Sequence, residues 1–499
     1  MNNSMIIYIL GQVVRLEGIL MIIPCITSLI YQEHEGFAFL VVILACVIVG
    51  TLMTIRKPSN QPIYLKEGCI ATAFSWVLLS IFGCMPFVIS GEIPSFTNAL
   101  FETVSGLTTT GASILSDVEA MSHGMMLWRC FTHWIGGMGV LVFLLAIIPM
   151  NSASGSNMNL MKAESPGPSV GKLVPRLKHT ARILYAIYFA MTLLEVVLLL
   201  FGRMSLFDAL CTAFGTAGTG GFGIKNDSFT SFSPYIQWVV TIFMMLFGVN
   251  FNFYYYILYR NVRKALSMEE VRTYFLIILG AIGIIFVNLM QTMSNAWDAL
   301  RHASFQVASI ITTTGYASAD FDQWTQTCKT VLVILMFIGA CAGSTGGGMK
   351  VSRLIIMFKT VVKELSSYFH PKNIKKIKMD GKPVEHEVVR AVNVYFITLM
   401  GIFTISVFLV SFEGRDLVTN FTAVAACLNN IGPGLSQVGP TQNFGMLTGF
   451  SKYVLMFDML AGRLELFPLL LIFNPGVYRD MIMGAVRYVK RKIAARRVS

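Results

Sequence analysis

Four short polar strips in this chain each carry a glycine: GLTTTGAS at 106–113, GTAGTGGFG at 215–223, IITTTGYAS at 310–318 and LNNIGPG at 428–434. None offers a nucleophile with its base, and none holds a carboxylate. What they offer is backbone carbonyls flanked by hydroxyl and amide side chains. Glycine reaches positive φ without a Cβ clash, so peptides of alternating hand can turn successive carbonyls toward one axis. Rings of such carbonyls replace the hydration shell of a dehydrated cation. A donor set without carboxylates suits a monovalent ion better than Ca²⁺ or Mg²⁺. Alignment on Gly111, Gly220, Gly315 and Gly432 gives the candidate ion-binding positions Thr109, Thr110, Gly111, Thr219, Gly220, Thr313, Thr314, Gly315, Asn430, Ile431 and Gly432.

Those strips need elements to hold them. Each follows a run of roughly 11 helix-compatible residues, which rises only ~16 Å, about half a bilayer core. A longer apolar run lies upstream (69–90, 182–202, 272–292, 391–412) and another downstream (127–149, 235–259, 328–350, 450–473). The unit is span, half-helix, polar strip, span, and it occurs four times after an extra pair of spans at 5–30 and 37–55. Extended backbone at membrane depth must be buried in protein or line a wet cavity. The expectation is an all-α polytopic membrane protein with four span–pore-helix–filter–span repeats around a single-chain pseudo-four-fold pore, plus the N-terminal pair. The corresponding segments are 1–66 for the pair, 67–165, 166–266, 267–370 and 371–474 for the repeats, and 475–499 for a basic amphipathic tail.

Composition agrees with membrane residence. Hydrophobic residues make up 55% of the 499 and charged residues only 13%, where a soluble domain carries about a quarter charged. The net charge of +12 raises the question of nucleic acid, but the cations are distributed by side. With the N-terminus inside, one set of connections holds 29 of the 38 Lys and Arg and the other set five. That is the positive-inside asymmetry. It predicts cytoplasmic N- and C-termini, places the strips on the outer side, and leaves no charge that requires nucleic acid. The basic inner segments also suit anionic lipid head groups.

Other chemistries find no support. The nine cysteines contain no C-x-x-C pair and the seven histidines no H-E-x-x-H, so neither a redox motif nor a metalloprotease is indicated. An intramembrane enzyme would need polar catalytic groups that the spans do not supply. The stretch GSTGGGMK (343–350) resembles a phosphate loop superficially, but Met349 stands where the lysine belongs and Lys350 is one place late.

That stretch carries a different expectation. Ala342 to Gly348 contains only Ala, Gly, Ser and Thr, and glycine costs about 1 kcal/mol against alanine inside a helix. Gly346, Gly347 and Gly348 should break the span, making a loop beneath the strips from Gly343, Ser344, Thr345, Gly346, Gly347, Gly348 and Lys350. The alternative is a stripe for close helix packing on Gly339, Gly343 and Gly347. Arg463, within span 450–473, is expected either to face the pore as an electrostatic barrier or to pair with Asp458, Glu465 or a carboxylate on another span. Arg15 and Glu17 in the first span are expected to pair with each other. Glu195 is read as buried without a role.

TTTGAS (108–113), TGGFG (219–223), TTTGY (312–316) and NNIGPG (429–434), with HWIGGMG (133–139), AGSTGGGMK (342–350) and GRLELF (462–467), resemble the motifs of the Trk/Ktr/HKT superfamily of potassium uptake proteins. The extra N-terminal pair is similar to the bacterial Trk membrane subunit and is lacking in the Ktr type. The resemblance implies K⁺ as the transported ion held in the filter, an intramembrane gating loop at 342–348, the pore-facing role of Arg463, a homodimer with one pore per chain, a cytosolic RCK-type nucleotide-binding regulatory subunit, and residence in the bacterial inner membrane. Glycine at 111, where plant relatives associated with Na⁺ have serine, agrees with K⁺. AGTGGFG and NNIGPG depart from TTTG, so the four rings are unequal. The rival reading is an H⁺- or Na⁺-coupled potassium symporter, which would call for inverted repeats and midplane carboxylates; the repeats here run in the same sense.

Overall fold

The helix boundaries follow from capping chemistry. In this computed structural model, which describes residues 3–55, 64–139, 177–370 and 376–479, four half-helices start directly after a capping residue. They are α5 (Phe96–Leu107) after Ser95, α8 (Leu206–Gly218) after Ser205, α13 (Ala296–Ile311) after Asn295, and α17 (Leu417–Leu428) after Asp416. The spans that follow the strips also start after a hydroxyl residue: α6 (His123–Gly137) after Ser122, α9 (Pro234–Phe247) after Ser233, α14 (Gln326–Ile338) after Thr325, and α18 (Gly449–Arg463) after Thr448. Short oxygen-bearing side chains suit such positions because they can accept from first-turn N–H groups; Ser205, Asn295 and Asp416 do so by accepting from Asp208, Trp297 and Thr419, whereas Ser95, Ser122 and Thr448 make no such bond.

The spans before the half-helices are long: α4 (Leu65–Ser90), α7 (Leu177–Phe201), α12 (Glu269–Leu289) and α16 (His386–Val410). At ~1.5 Å per residue each crosses a ~30 Å core. The N-terminal pair is α1 (Asn3–Leu20) continuing into α2 (Ile22–Ile30), and α3 (Gly36–Thr54); α1 packs on α3 and α4. Among the described residues, six helices have the length and apolarity to cross a membrane. Large apolar side chains such as Leu44, Leu276, Leu279 and Ile397 are exposed, which is how a lipid-facing surface looks in the absence of lipid.

The spans after the strips differ from the expected straight runs. α9 ends at Phe247 and the chain turns by 90° into α10 (Phe251–Leu258), so 235–259 is not one helix. α14 ends at Ile338, so the break begins at Gly339 and not at the triple glycine; helix resumes only as α15 (Val351–Phe369). α18 ends at Arg463, which places that residue at a helix C-terminus rather than mid-span, and a short turn leads to α19 (Phe467–Leu470). α6 ends at Gly137; the rest of the run expected to 149 lies outside the described residues, as does the tail from 480. Because 339–350 is not helical, no packing stripe exists on Gly339, Gly343 and Gly347. Arg15 and Glu17 do not pair: Glu17 is buried with both carboxylate oxygens unpartnered, while Arg15 packs on Gly50.

A buried ion pair joins α5 to α6, and its arginine reaches on to the strip after α8. The Arg129 Nε donates to Glu102 at 2.7 Å, and both side chains are almost wholly buried. Glu102 also accepts from the Ser113 hydroxyl and the Ile114 N–H, both at 2.9 Å. Arg129 donates to the Gly223 carbonyl and lies 3.7 Å above the Phe222 ring. Removing one partner of such a pair leaves a bare buried charge, at about 3–5 kcal/mol. Arg129→Gln is therefore expected to lower the thermal midpoint in detergent, whereas Lys363→Gln on the exposed face of α15 is not; equal midpoints would count against a structural role for the pair.

Candidate functional site

The four strips leave their half-helices in one way. In each, one strip residue donates to a carbonyl five residues back: Thr110 to Ser105, Gly220 to Gly215, Thr314 to Ser309, and Ile431 to Ala426, at 2.8 to 2.9 Å. This is the six-to-one bond of a helix end whose C′ residue is left-handed. The left-handed residues are Thr109, Thr219, Thr313 and Asn430, with φ of 54 to 60°. Two residues later φ is positive again, at Gly111, Gly221, Gly315 and Gly432. Positive, negative, positive is the alternating hand that carbonyl rings require. The register of the second strip therefore shifts by one: Gly221, not Gly220, is the counterpart of Gly111. TGGFG offers two adjacent glycines, and the bond from Gly220 to Gly215 selects the second.

The strips meet in cyclic order. A Cβ on Gly111 would collide with the carbonyl oxygen of Gly220, one on Gly221 with that of Thr314, and one on Gly315 with that of Ile431; one on Gly432 would lie 2.7 Å from the oxygen of Thr110. Each glycine thus abuts the carbonyl preceding the next strip's glycine, and the fourth closes on the first. Gly111, Gly221, Gly315 and Gly432 also line one cavity of about 120 Å³, together with Ser113, Lys225 and Asn443. Roughly 10–15 Å³ suffices for one water, so the cavity has room for a hydrated ion above the ring.

Side chains brace the ring. Asn430 donates to the Thr110 hydroxyl at 3.0 Å and to the Met459 carbonyl at 2.9 Å, joining strip four to strip one. His133, in the HWIGGMG stretch, places Nδ1 2.7 Å from the Gly106 carbonyl and accepts at Nε2 from the Phe222 N–H at 3.2 Å. Those partners require a neutral ring with the proton on Nδ1, spanning half-helix one and strip two.

The segment 339–350 lies directly under strips three and four. The Gly347 N–H donates to the Thr313 hydroxyl at 2.6 Å. A Cβ on Gly346 would be 2.9 Å from the Thr312 carbonyl, and one on Gly347 2.7 Å from that of Asn429. The two ends of the segment are pinned together: Val351 N–H donates to Ala340 at 3.0 Å, and the buried Glu270 carboxylate accepts from the N–H groups of Ala342 (2.6 Å) and Ser352 (3.1 Å). Asn250, at the 90° bend, donates to the other Glu270 oxygen at 3.3 Å, and the Phe251 N–H donates to Gly343 at 3.0 Å. The Lys350 ammonium bonds the Gly346 carbonyl within the segment.

Arg463 reaches across. Its guanidinium donates to the Thr345 carbonyl at 2.9 Å, to Gly137 at 2.7 Å, and to Gly136. It thereby joins the end of α18, the end of α6 and the segment beneath the ring. Neither pairing expected within its own span forms among the described residues: Glu465 pairs with Arg353, and Asp458 accepts from Ser406 at 2.7 Å. Four residues that matter here carried no role in the sequence: Glu270, Asn250, His133 and Glu102. A carboxylate inside a polar half-helix and an arginine inside a span were the available signal for the Glu102–Arg129 pair. Glu270, one of two glutamates opening a span, reads in sequence as an ordinary first-turn acid.

Comparison with known proteins shows the family. The family model described as TrkH, cation transport protein, matches residues 35–482. The Trk system potassium uptake protein TrkH of Escherichia coli (strain K12) is 34% identical over 492 residues, covering 96% of this chain and all of that one. TrkG of the same strain is 32% identical over 493 residues at the same coverage. The crystal structure of the potassium transporter TrkH from Vibrio parahaemolyticus superposes with a TM-score of 0.85 at 30% identity, covering 95% of this chain and 99% of that one. With its apolar spans, its helical architecture and these relatives, the chain is a multi-pass membrane protein that belongs to the TrkH family of cation transport proteins, transporters rather than enzymes.

Proposed function

We propose that this chain takes up K⁺ through a channel-like pore formed by the four strips, with carbonyls of the ring as the filter and 339–350 as its gate. The observation that carries the reading is the closed cycle in which Gly111, Gly221, Gly315 and Gly432 each pack on a neighbouring strip's carbonyl and open on one cavity. The ion enters from the cavity, sheds water against carbonyls held by half-helix ends, and meets the segment pinned by Glu270 and Arg463. Half-helix C-termini bring negative dipole toward the ion. Movement of the segment away from Thr313 opens the path. By the cation distribution, the cavity faces outward and both termini lie in the cytoplasm, in a bacterial inner membrane. The resemblance supports a homodimer and a cytosolic RCK-type nucleotide-binding subunit acting on the inner loops.

The test is ⁸⁶Rb⁺ uptake into liposomes carrying the purified chain, with K⁺ and Na⁺ as competitors. Uptake that proceeds without a pH or Na⁺ gradient and is blocked preferentially by K⁺ is expected. Uptake that requires either gradient would replace the channel with the coupled symporter.

A further inference from the structure

The bend after α9 leads into an unusual surface. The sequence there is FNFYYYILYRNVRKAL, residues 251–266. α10 and the short helix α11 (Val262–Leu266) lead into α12, whose 21 residues rise about 31 Å. Since α12 crosses the whole core and starts at Glu269, the preceding turn sits at the level of the inner head groups. Leu258, Tyr259, Val262 and Leu266 are exposed. Lys264 stands 4.3 Å over the Tyr256 ring, and the rings of Tyr255 and Tyr259 are 4.5 Å apart. Arg260 and Arg263 are exposed and have no protein partner among the described residues. The nearby acids are engaged: Glu269 pairs with Lys359, and Glu270 is buried on the gate segment. Unpaired cations beside tyrosines and exposed aliphatic side chains are complementary to an anionic head group above its acyl chains.

We infer that Arg260, Arg263 and Lys264 form a binding site for an anionic phospholipid of the inner leaflet, and that its occupancy biases the segment 339–350. The second half rests on the pore reading above; the first rests only on the orientation taken from the cation distribution. The connection is short. α10 is eight residues long, and its first turn holds the segment: Phe251 N–H donates to Gly343, while Asn250 donates to Glu270, which accepts from Ala342. The Tyr254 hydroxyl donates to Leu246 at 2.6 Å across the bend. A head group that draws the C-terminal end of α10 toward the membrane surface therefore acts on the residues that pin the gate.

The experiment uses the full chain in nanodiscs and liposomes of phosphatidylcholine with and without phosphatidylglycerol. Retained lipid is read by native mass spectrometry and ⁸⁶Rb⁺ uptake is read in parallel. The parent chain is expected to retain phosphatidylglycerol over phosphatidylcholine, and the triple variant Arg260→Gln, Arg263→Gln, Lys264→Gln to retain about tenfold less. A control variant with the same loss of charge, Lys363→Gln, Lys382→Gln, Arg390→Gln, is expected to match the parent. Uptake by the parent should change several-fold with phosphatidylglycerol, and that change should vanish in the triple variant. Equal retention by parent and triple variant, equal loss in the control, or full competition by inorganic phosphate would overturn the lipid site. So would a triple variant that keeps its lipid but loses its response to an added cytosolic regulatory protein. Retention with lipid-independent uptake would overturn the link to the gate alone. Retention without any uptake by the parent would count against the pore reading and leave the lipid site standing.

Discussion

Gly315→Ala is expected to cut ⁸⁶Rb⁺ uptake at least about tenfold and to erode the preference for K⁺ over Na⁺, while the protein still elutes as a folded species. Gly315 has φ +85°, and its missing Cβ faces the Ile431 carbonyl, with Pro433 Cδ at 2.9 Å. An L-residue in that conformation costs roughly 1–2 kcal/mol before any clash. The neighbour that must give way is backbone of the adjoining strip. The strain therefore falls on a carbonyl of the ring, and every 1.4 kcal/mol lost there is a factor of ten. Gly280→Ala serves as the control, because a Cβ there meets nothing within 4 Å and alanine favours helix. The reading fails if Gly315→Ala transports and discriminates like the parent. The corrected register adds a sharper comparison: at strip two the positive-φ residue is Gly221, so a D-alanine placed there by chemical synthesis should be tolerated better than one at Gly220.

Much of this architecture was legible because it rests on length and repetition. Runs of about 20 apolar residues have few alternatives, and a half-helix followed by a polar strip cannot be left in lipid. The cation asymmetry separates the two sets of connections without any structure. Sequence was ambiguous where two solutions share a composition. Two adjacent glycines at 220–221 leave the register open until a hydrogen bond chooses. The run 235–259 has the hydropathy of one span, yet Gly248–Val249–Asn250 turns it by 90°. Asn250 could have signalled this, since a side chain that caps its own backbone two residues on favours a turn; it accepts from the Asn252 N–H at 3.0 Å. In the third repeat Gly339, with φ +74°, already terminates α14, seven residues before the triple glycine. The break follows the first residue to leave helical space.

Long-range partners were the least legible. Arg463, Thr345 and Gly136 come from three different repeats, and no local pattern joins them. The same holds for Asn250 with Glu270, and for Asn430 with Thr110. These contacts cross between repeats that look alike in sequence. Only the third repeat among the described residues places a glycine-rich segment under the strips, and it is held by Glu270 of the same repeat, by Asn250 of the second and by Arg463 of the fourth.

Arg463→Ala is accordingly expected to raise uptake. The guanidinium bonds three carbonyls, one on the segment and two at the end of α6. Hydrogen bonds from a charged donor contribute about 1.5–3 kcal/mol each. If the segment gates as proposed, the bond to Thr345 is the one that opening must break, and its loss should shift the closed–open balance by about tenfold to a hundredfold. Removing a fixed positive charge beneath the ring also lowers the barrier to a passing cation. Arg463→Lys should fall between the two: the charge stays, but an ammonium cannot match a planar fork held by carbonyls on two separate elements. Thermal midpoint and reconstituted protein amount must be measured alongside, because a destabilised chain would lower uptake and mask release. If Arg463→Ala, folded and present at equal density, conducts no faster than the parent, then the segment is not held shut by this residue. The closing role would then fall to Glu270, whose carboxylate fixes both ends of the segment.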